Sequence, residues 1–246
     1  MSGERPVQFP NRWFPVARIE EVVARHIVQA QVLGQEIAIW RDDTGFANAW
    51  ENRCPHRGVR LSIGLNTGHE LRCQYHGWRY SSRSGQCSFI PAQPDRKPAN
   101  AIRATTYGCT EQYGFVWVNL SNTQPTAPLP SLVGDSFTTL RSTHVDAPLS
   151  RVKAFLERRR ASVTDGGPPD LVEIDVPMRD PAENGTMRTT LLMQPMSDTQ
   201  TVIHGIVAKA LVGNDRLALL RSHDAYLTRL RDEIENLARR DDTHGR

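Results

Sequence analysis

Two short stretches hold the side chains best suited to chemistry: NRCPHRGVRLSIG, beginning at Asn52, and LRCQYHGWRY, beginning at Leu71. The first supplies Cys54 and His56, and the second supplies Cys73 and His76. The whole chain has only four cysteines, so half of them sit in this pattern. Thiolate sulfur and neutral imidazole nitrogen are both metal ligands. Two of each could hold one zinc ion tetrahedrally, but zinc sites usually group the cysteines in one pair and the histidines in the other. Here each loop gives one of each kind. That split suits a two-iron, two-sulfide cluster in which one iron takes both cysteines and the other takes both histidines.

Such an asymmetric centre is the Rieske type, whose neutral histidine ligands raise the reduction potential above that of all-cysteine clusters. Cys54-x-His56, sixteen residues, then Cys73-x-x-His76-Gly77-Trp78 resembles the cluster signature of the Rieske non-heme iron oxygenases. The respiratory-chain Rieske proteins carry a further cysteine in each loop, joined as a disulfide. Val59 and Tyr75 stand at the corresponding positions here, so the loops resemble the oxygenase type. RWFPVA, Arg12 to Ala17, is likewise similar to the start of oxygenase catalytic subunits rather than of small Rieske ferredoxins. The resemblance implies a [2Fe–2S] cluster held by Cys54, His56, Cys73 and His76. Cys87 and Cys109 have no comparable setting and read as ordinary buried or half-buried thiols.

The elements that must position these loops are short strands. HIVQAQVLG, QEIAIWRD and GFANAWENR alternate or run apolar between Gly34, Gly45 and the Asp42–Asp43 turn, and GFVWVNL closes the region as a buried strand. Three prolines in residues 121–131 mark a boundary. The expected organisation is a Rieske domain over 1–120, a Pro-rich linker over 121–131 and a truncated oxygenase catalytic-like domain over 132–246. In that last part a helix is expected from Pro148 to Arg160, then three strands (DLVEIDVPM, TMRTTLLMQPM and TQTVIHGIVAKAL), then a helix from Asn214 to about Arg240. Leu220, Leu227, Leu230, Ile234 and Leu237 form the apolar stripe of that last helix. The fold class is α+β: an all-β Rieske sandwich, then a shortened helix-grip-like antiparallel sheet with a long C-terminal helix.

In the resembled family the second domain binds a mononuclear iron(II) through two histidines and a carboxylate, marked by Asn-x-x-Asp-x-x-His-x-x-x-x-His on a helix. HVDAPLSRV, His144 to Val152, resembles the lead-in to that helix, but the four motif positions fall on Ala154, Glu157, Arg160 and Asp165. A guanidinium offers only donors and cannot ligate iron. No histidine lies between His144 and His204 to restore the motif. Glu157 and Arg160, three residues apart on one helix face, could form an ion pair plugging a former iron cavity, although ERRR also reads as a solvated basic turn. His204 and His223 could in principle meet near Asp224 or Asp232, but read better as ordinary histidines.

A net charge of +3 gives little reason to expect nucleic acid or an anionic membrane as partner. No apolar run approaches a membrane span, the start lacks a secretory signal, and few cysteines argue for a reduced, cytoplasmic protein. No G-x-G-x-x-G loop is present, so the NAD(P)H-dependent flavin or ferredoxin reductase that the resemblance implies would be a separate protein. The favoured reading is a Rieske redox subunit that passes electrons to a catalytic iron in a complete oxygenase subunit, within a trimer-like hetero-oligomer. Two alternatives stay open. One is a complete oxygenase hydroxylating or demethylating a small aromatic or heterocyclic molecule through an unorthodox iron site. The other is a ferredoxin-type electron carrier, which would leave about 115 residues unexplained. A structural zinc module fits the loop pattern least.

Overall fold

The computed structural model describes residues 11–121, 129, 132, 136–159, 162–164, 171–177, 186–209 and 216–244. Two compact units divide the chain. The first holds nearly everything up to Leu129, and the second holds the rest together with Val32–Gly34 and Tyr113–Phe115.

The first unit is built from short strands: β1 (Trp13–Arg18), β2 (Ile27–Val32), β3 (Gln35–Arg41), β4 (Ala47–Glu51), β5 (Leu65–Asn66), β6 (Glu70–Arg72), β7 (Arg79–Ser81), β8 (Cys87–Phe89), β9 (Gly108–Gln112) and β10 (Phe115–Asn119). They form three sheets, ordered β1-β10-β9, β2-β3-β4 and β5-β6-β7-β8. Strands this short cannot hold register alone. A shared core fixes them: Trp40 on β3, Trp50 on β4, Leu61, Leu71 on β6 and Tyr80 on β7 are all at most 1% exposed. Trp40 and Trp50 meet edge to face with centroids 5.1 Å apart. Asp42 closes the β3–β4 turn by accepting from the Thr44 and Phe46 amides at 2.9 Å each. Its other oxygen accepts from Ser82 Oγ at 2.7 Å, which ties that turn to the end of β7.

The second unit contains β11 (Phe137–Thr139), β12 (Thr143–Val145), α1 (Leu149–Arg158), β13 (Ser162–Thr164), β14 (Leu171–Pro177), β15 (Thr186–Pro195), β16 (Thr201–Ala208) and α2 (Arg216–His244). Its six strands make one sheet, β11-β16-β15-β14-β13, with β12 also pairing β16. Every pairing whose register is described is antiparallel. Val172, Ile174 and Val176 alternate inward along β14. They join Leu191 and Met193 of β15, Ile203 of β16, Val152 and Leu156 of α1, and Leu227, Leu230 and Ile234 of α2 in one core. Each such aliphatic side chain contributes about 1.5–3 kcal/mol by leaving water.

The α+β expectation stands, with local differences. The short strands β11, β12 and β13 were not expected, because three residues carry too little periodicity to read. On α2 the apolar stripe bends: Leu237 is 38% exposed and Ala238 is buried in its place, as a period of 3.6 requires beyond Ile234. Glu157 is exposed, so it does not plug an interior cavity, and the neighbouring Arg159 reaches Glu233 on α2 instead. Arg160, Asp165 and most of the 121–131 linker lie outside the described residues. Among the described residues no helix is long and apolar enough to cross a membrane.

Candidate metal centre

The two Cys/His stretches fold as two copies of one turn. In the first, which follows β4, the Cys54 amide donates to the Val59 carbonyl at 2.8 Å and the Gly58 amide donates to the Cys54 carbonyl at 2.8 Å. In the second, between β6 and β7, the Cys73 amide donates to the Trp78 carbonyl at 2.8 Å and the Gly77 amide to the Cys73 carbonyl at 3.1 Å. Both turns close on a glycine four residues after the cysteine, with φ of +73° at Gly58 and +69° at Gly77. A side chain resists that conformation. A Cβ would also stand 3.1 Å from Arg53 Nε at the first position and 3.1 Å from Pro91 Cγ at the second. The shared Cys-x-x-x-Gly spacing was present in the sequence and is the local signal for both loops.

This geometry sorts the four side chains by depth. Cys54 and Cys73 are each 3% exposed and belong to the core around Trp40, Trp50 and Tyr80. Their thiols lie within hydrogen-bonding reach of each other. His56 is half-buried and His76 is exposed, with ring centroids 4.8 Å apart. Two sulfurs inside and two imidazoles outside match what a two-iron cluster of the histidine-ligated type needs: one iron buried on thiolates, the other facing out on neutral nitrogens. No group of three or more His, Cys, Asp or Glu among the described residues gathers around one ion-sized point. The two buried sulfurs and two outward imidazoles fit a cluster that spans two irons with two donors each.

The surroundings bias the protonation states. Burial pushes the Cys73 thiol up, and the proximity of Cys54 adds to this, while the Tyr75 and His76 amides hydrogen-bond the sulfur and pull the other way. A thiol this dry gives up its proton when a cation replaces it. Burial lowers the His56 pKa, helped by His76 and by Arg57, which keeps its imidazole neutral, the form that binds metal. Trp78 stacks on His56, with centroids 4.2 Å apart and planes 9° apart, and so fixes the ring plane. Tyr75 lies against His76 at 3.8 Å.

Sequence reasoning missed two participants. Tyr80 Oη lies 3.1 Å from Cys54 Sγ inside the core. Burial and the neighbouring thiols push its pKa far up, so it remains a donor. Its only sequence signal was its place just past His-Gly-Trp. Cys87, a buried thiol as expected, sits directly across from Tyr80 in the β7–β8 register and in the same core as Cys54 and Cys73. Cys109 is half-buried on β9, away from this group.

The second unit's histidines do not form a site together. His204 Nε2 bonds Gln194 Oε1 and its Nδ1 bonds Ser142 Oγ, both at 2.8 Å. An amide oxygen only accepts, so the Nε2 proton is placed there and Nδ1 accepts from the serine. The next residue, Gly205, faces the other way. A Cβ on it would stand 2.5 Å from His223 Cε1 and Nε2. His223 therefore packs on the opposite face of β16 from His204. It is 1% exposed, and burial lowers its pKa to about 4 against the opposing pull of Asp224 and the Arg141 backbone. Asp224 bonds Arg141 and Asp232 bonds Arg231, so neither carboxylate completes a cluster with these histidines.

Comparison with known proteins agrees with this geometry. The Rieske [2Fe-2S] domain family matches residues 12–110. The oxidoreductase NdmD of Pseudomonas putida is 47% identical over 161 residues, which is 63% of this chain but 27% of NdmD; the chain thus spans about a quarter of that relative's length. Among solved structures, Pseudomonas putida CBB5 NdmA superposes with a TM-score of 0.74 at 19% identity, covering 92% of this chain and 81% of NdmA. Apo dicamba monooxygenase superposes with a TM-score of 0.73 at 19% identity, covering 94% and 87%. These two likenesses establish a shared fold. Residues 12–110 are thus a Rieske [2Fe–2S] domain, within a chain whose fold is similar to those of NdmA and dicamba monooxygenase.

Proposed function

We propose that Cys54, His56, Cys73 and His76 hold the [2Fe–2S] cluster, and that the chain is a redox subunit passing electrons to a catalytic iron in a partner oxygenase subunit. The observation that carries the ligand assignment is the depth sorting, with thiols buried side by side and imidazoles facing out. When bound, the cluster supplies one-electron transfer. The chain's own residues set its environment. Tyr80 Oη donates to Cys54 Sγ, and the Tyr75 and His76 amides donate to Cys73 Sγ. Such donors favour the extra negative charge of the reduced state. Trp78 holds the His56 ring, and the exposed His76 marks the edge at which an electron enters or leaves.

The partner iron is inferred from the second domain. The residues that align with the family's iron motif include Ala154 and Arg160, neither of which can ligate. A NAD(P)H-dependent flavin or ferredoxin reductase would supply the electrons from a separate chain, in the cytoplasm. The same sheet-and-helix unit also keeps open a complete oxygenase using ligands outside the described residues, acting on a small aromatic or heterocyclic substrate. The test of the ligand set is His76→Cys. A cluster retained at a lower potential, by protein-film voltammetry, supports the assignment, since a thiolate adds negative charge to the ligands. An unchanged potential contradicts it.

A further inference from the structure

Helix α1 has a second face besides the one that enters the core. Val152 and Leu156 point inward, into the core shared with α2. Arg151, Ala154, Phe155 and Arg158 stand at i, i+3, i+4 and i+7, which puts them on one stripe of the helix. That stripe is one wall of a cleft of about 80 Å³, and Ile234 and Leu237, three residues apart on α2, are the other. Ile234 is fully buried at its floor, Phe155 is half-buried, and Leu237 is left partly in water. The middle of the cleft is therefore apolar, and the small Ala154 side chain is what leaves it open.

The charges around it all have one sign. The lining holds two guanidinium groups and no carboxylate, hydroxyl, thiol or imidazole. Arg159, next along the chain, lies over the Phe155 ring with its guanidinium 4.9 Å from the centroid and pairs with Glu233 of α2, so that acid is already engaged. Arg158 is exposed and has no ion pair among the described residues. Guanidinium groups offer only donors, so the cleft selects an anion and cannot hold a metal ion. Nor does any lining group attack or take up a proton, so what binds there is held and not transformed.

Size narrows the ligand further. A cavity of about 150 Å³ is what benzene fills in a protein core, and this cleft has about half that volume. An alkyl chain enters where a ring does not. We propose that the α1–α2 cleft is a binding site for a short-chain aliphatic carboxylate. Its carboxylate meets the Arg158 fork, and its chain lies over Ala154 against Phe155, Ile234 and Leu237. Arg151, two helical turns or about 10 Å away along the axis, keeps the far end of the cleft positive. The site belongs to the second unit and stands independently of the cluster ligands.

The probe is hexanoate, with hexanol as its uncharged counterpart, titrated into the full chain with its cluster and followed by calorimetry and ligand-observed nuclear magnetic resonance. Hexanoate should bind saturably, and hexanol at least about tenfold more weakly, because only the carboxylate engages a charged donor. Arg158→Gln keeps the length of the side chain without its charge and should weaken hexanoate at least about fivefold. Ala154→Leu fills the cleft and should weaken hexanoate and hexanol alike, by about tenfold or more. Circular dichroism confirms that each variant retains its helices.

Hexanol binding as tightly as hexanoate overturns the proposal, and that comparison needs no variant. So does a folded Ala154→Leu protein with wild-type affinity, which would place the carboxylate on some other arginine. Absence of saturable hexanoate binding, with a glutamate-rich amphipathic peptide binding in an Arg158-dependent way, would also overturn it and assign the cleft to a protein partner.

Discussion

The two units hide polar atoms for different ends. In the first, the buried polar side chains converge: Tyr80 on Cys54, Cys54 on Cys73, and the Tyr75 and His76 amides on the same sulfur. In the second they are dispersed. His204 is closed off by Ser142 and Gln194, and His223 lies on the other face of the same strand, held neutral by burial. Convergent buried donors and thiols mark a site, because burial without a ligand is costly for all of them at once. Dispersed, individually settled ones mark a scaffold. The second unit keeps a sheet, a 29-residue helix and a continuous apolar core, and among its described residues shows no comparable convergence.

The sharpest way to break this contrast is Cys73→Ser. The cluster should be lost entirely, read as disappearance of the visible absorption bands and of iron from the purified protein, while the second unit's helix signal persists in circular dichroism. Retention of a full cluster would contradict the convergence.

Acid should strike the second unit first. His223 is held neutral, with its pKa lowered to about 4 in the fold, while the unfolded chain takes up that proton near pH 6.5. The stability due to keeping it neutral is present above pH 6.5 and is lost as pH falls toward 4. The loss is about 3 kcal/mol over that window. Urea midpoints at pH 7 and pH 4.5 read it, and His223→Leu should flatten the difference. An equally steep pH dependence in that variant would assign the effect to other groups.

Gly205→Ala places a methyl 2.5 Å from the His223 ring. It should cost about 1–3 kcal/mol of stability by overpacking, measured by denaturant unfolding, and leave the cluster spectrum untouched. Loss of the spectrum instead would show that the two units do not hold their structure independently.

The smallest effect concerns tuning. Tyr80→Phe removes one donor to Cys54 Sγ and should lower the reduction potential. A differential hydrogen-bond energy of about 1 kcal/mol corresponds to roughly 40 mV for one electron. A potential unchanged or raised by voltammetry would mean that the hydroxyl does not favour the reduced state.

The site was readable in the sequence to the extent that its spacing is local. Cys54, His56, Cys73 and His76 lie within two turns of identical hydrogen bonding, so residue order nearly equals geometry. Tyr80 and Cys87 were not legible as neighbours of the site, because their place depends on β7–β8 pairing and not on any run of residues. In the second unit, β14, β15, β16 and the two helices were visible from periodicity. The three-residue strands were too short to show one, and the exposure of Leu237 followed from helical drift that a heptad-like count ignores.

On the reading proposed above, the chain holds a two-iron cluster on two cysteines and two histidines, and the oxygen-activating iron belongs to a partner subunit. Iron and acid-labile sulfide per chain, measured on anaerobically purified and iron-reconstituted protein, decide between this and a complete oxygenase. Two irons with two sulfides are expected. Three irons with two sulfides would contradict it and make the chain an oxygenase in its own right.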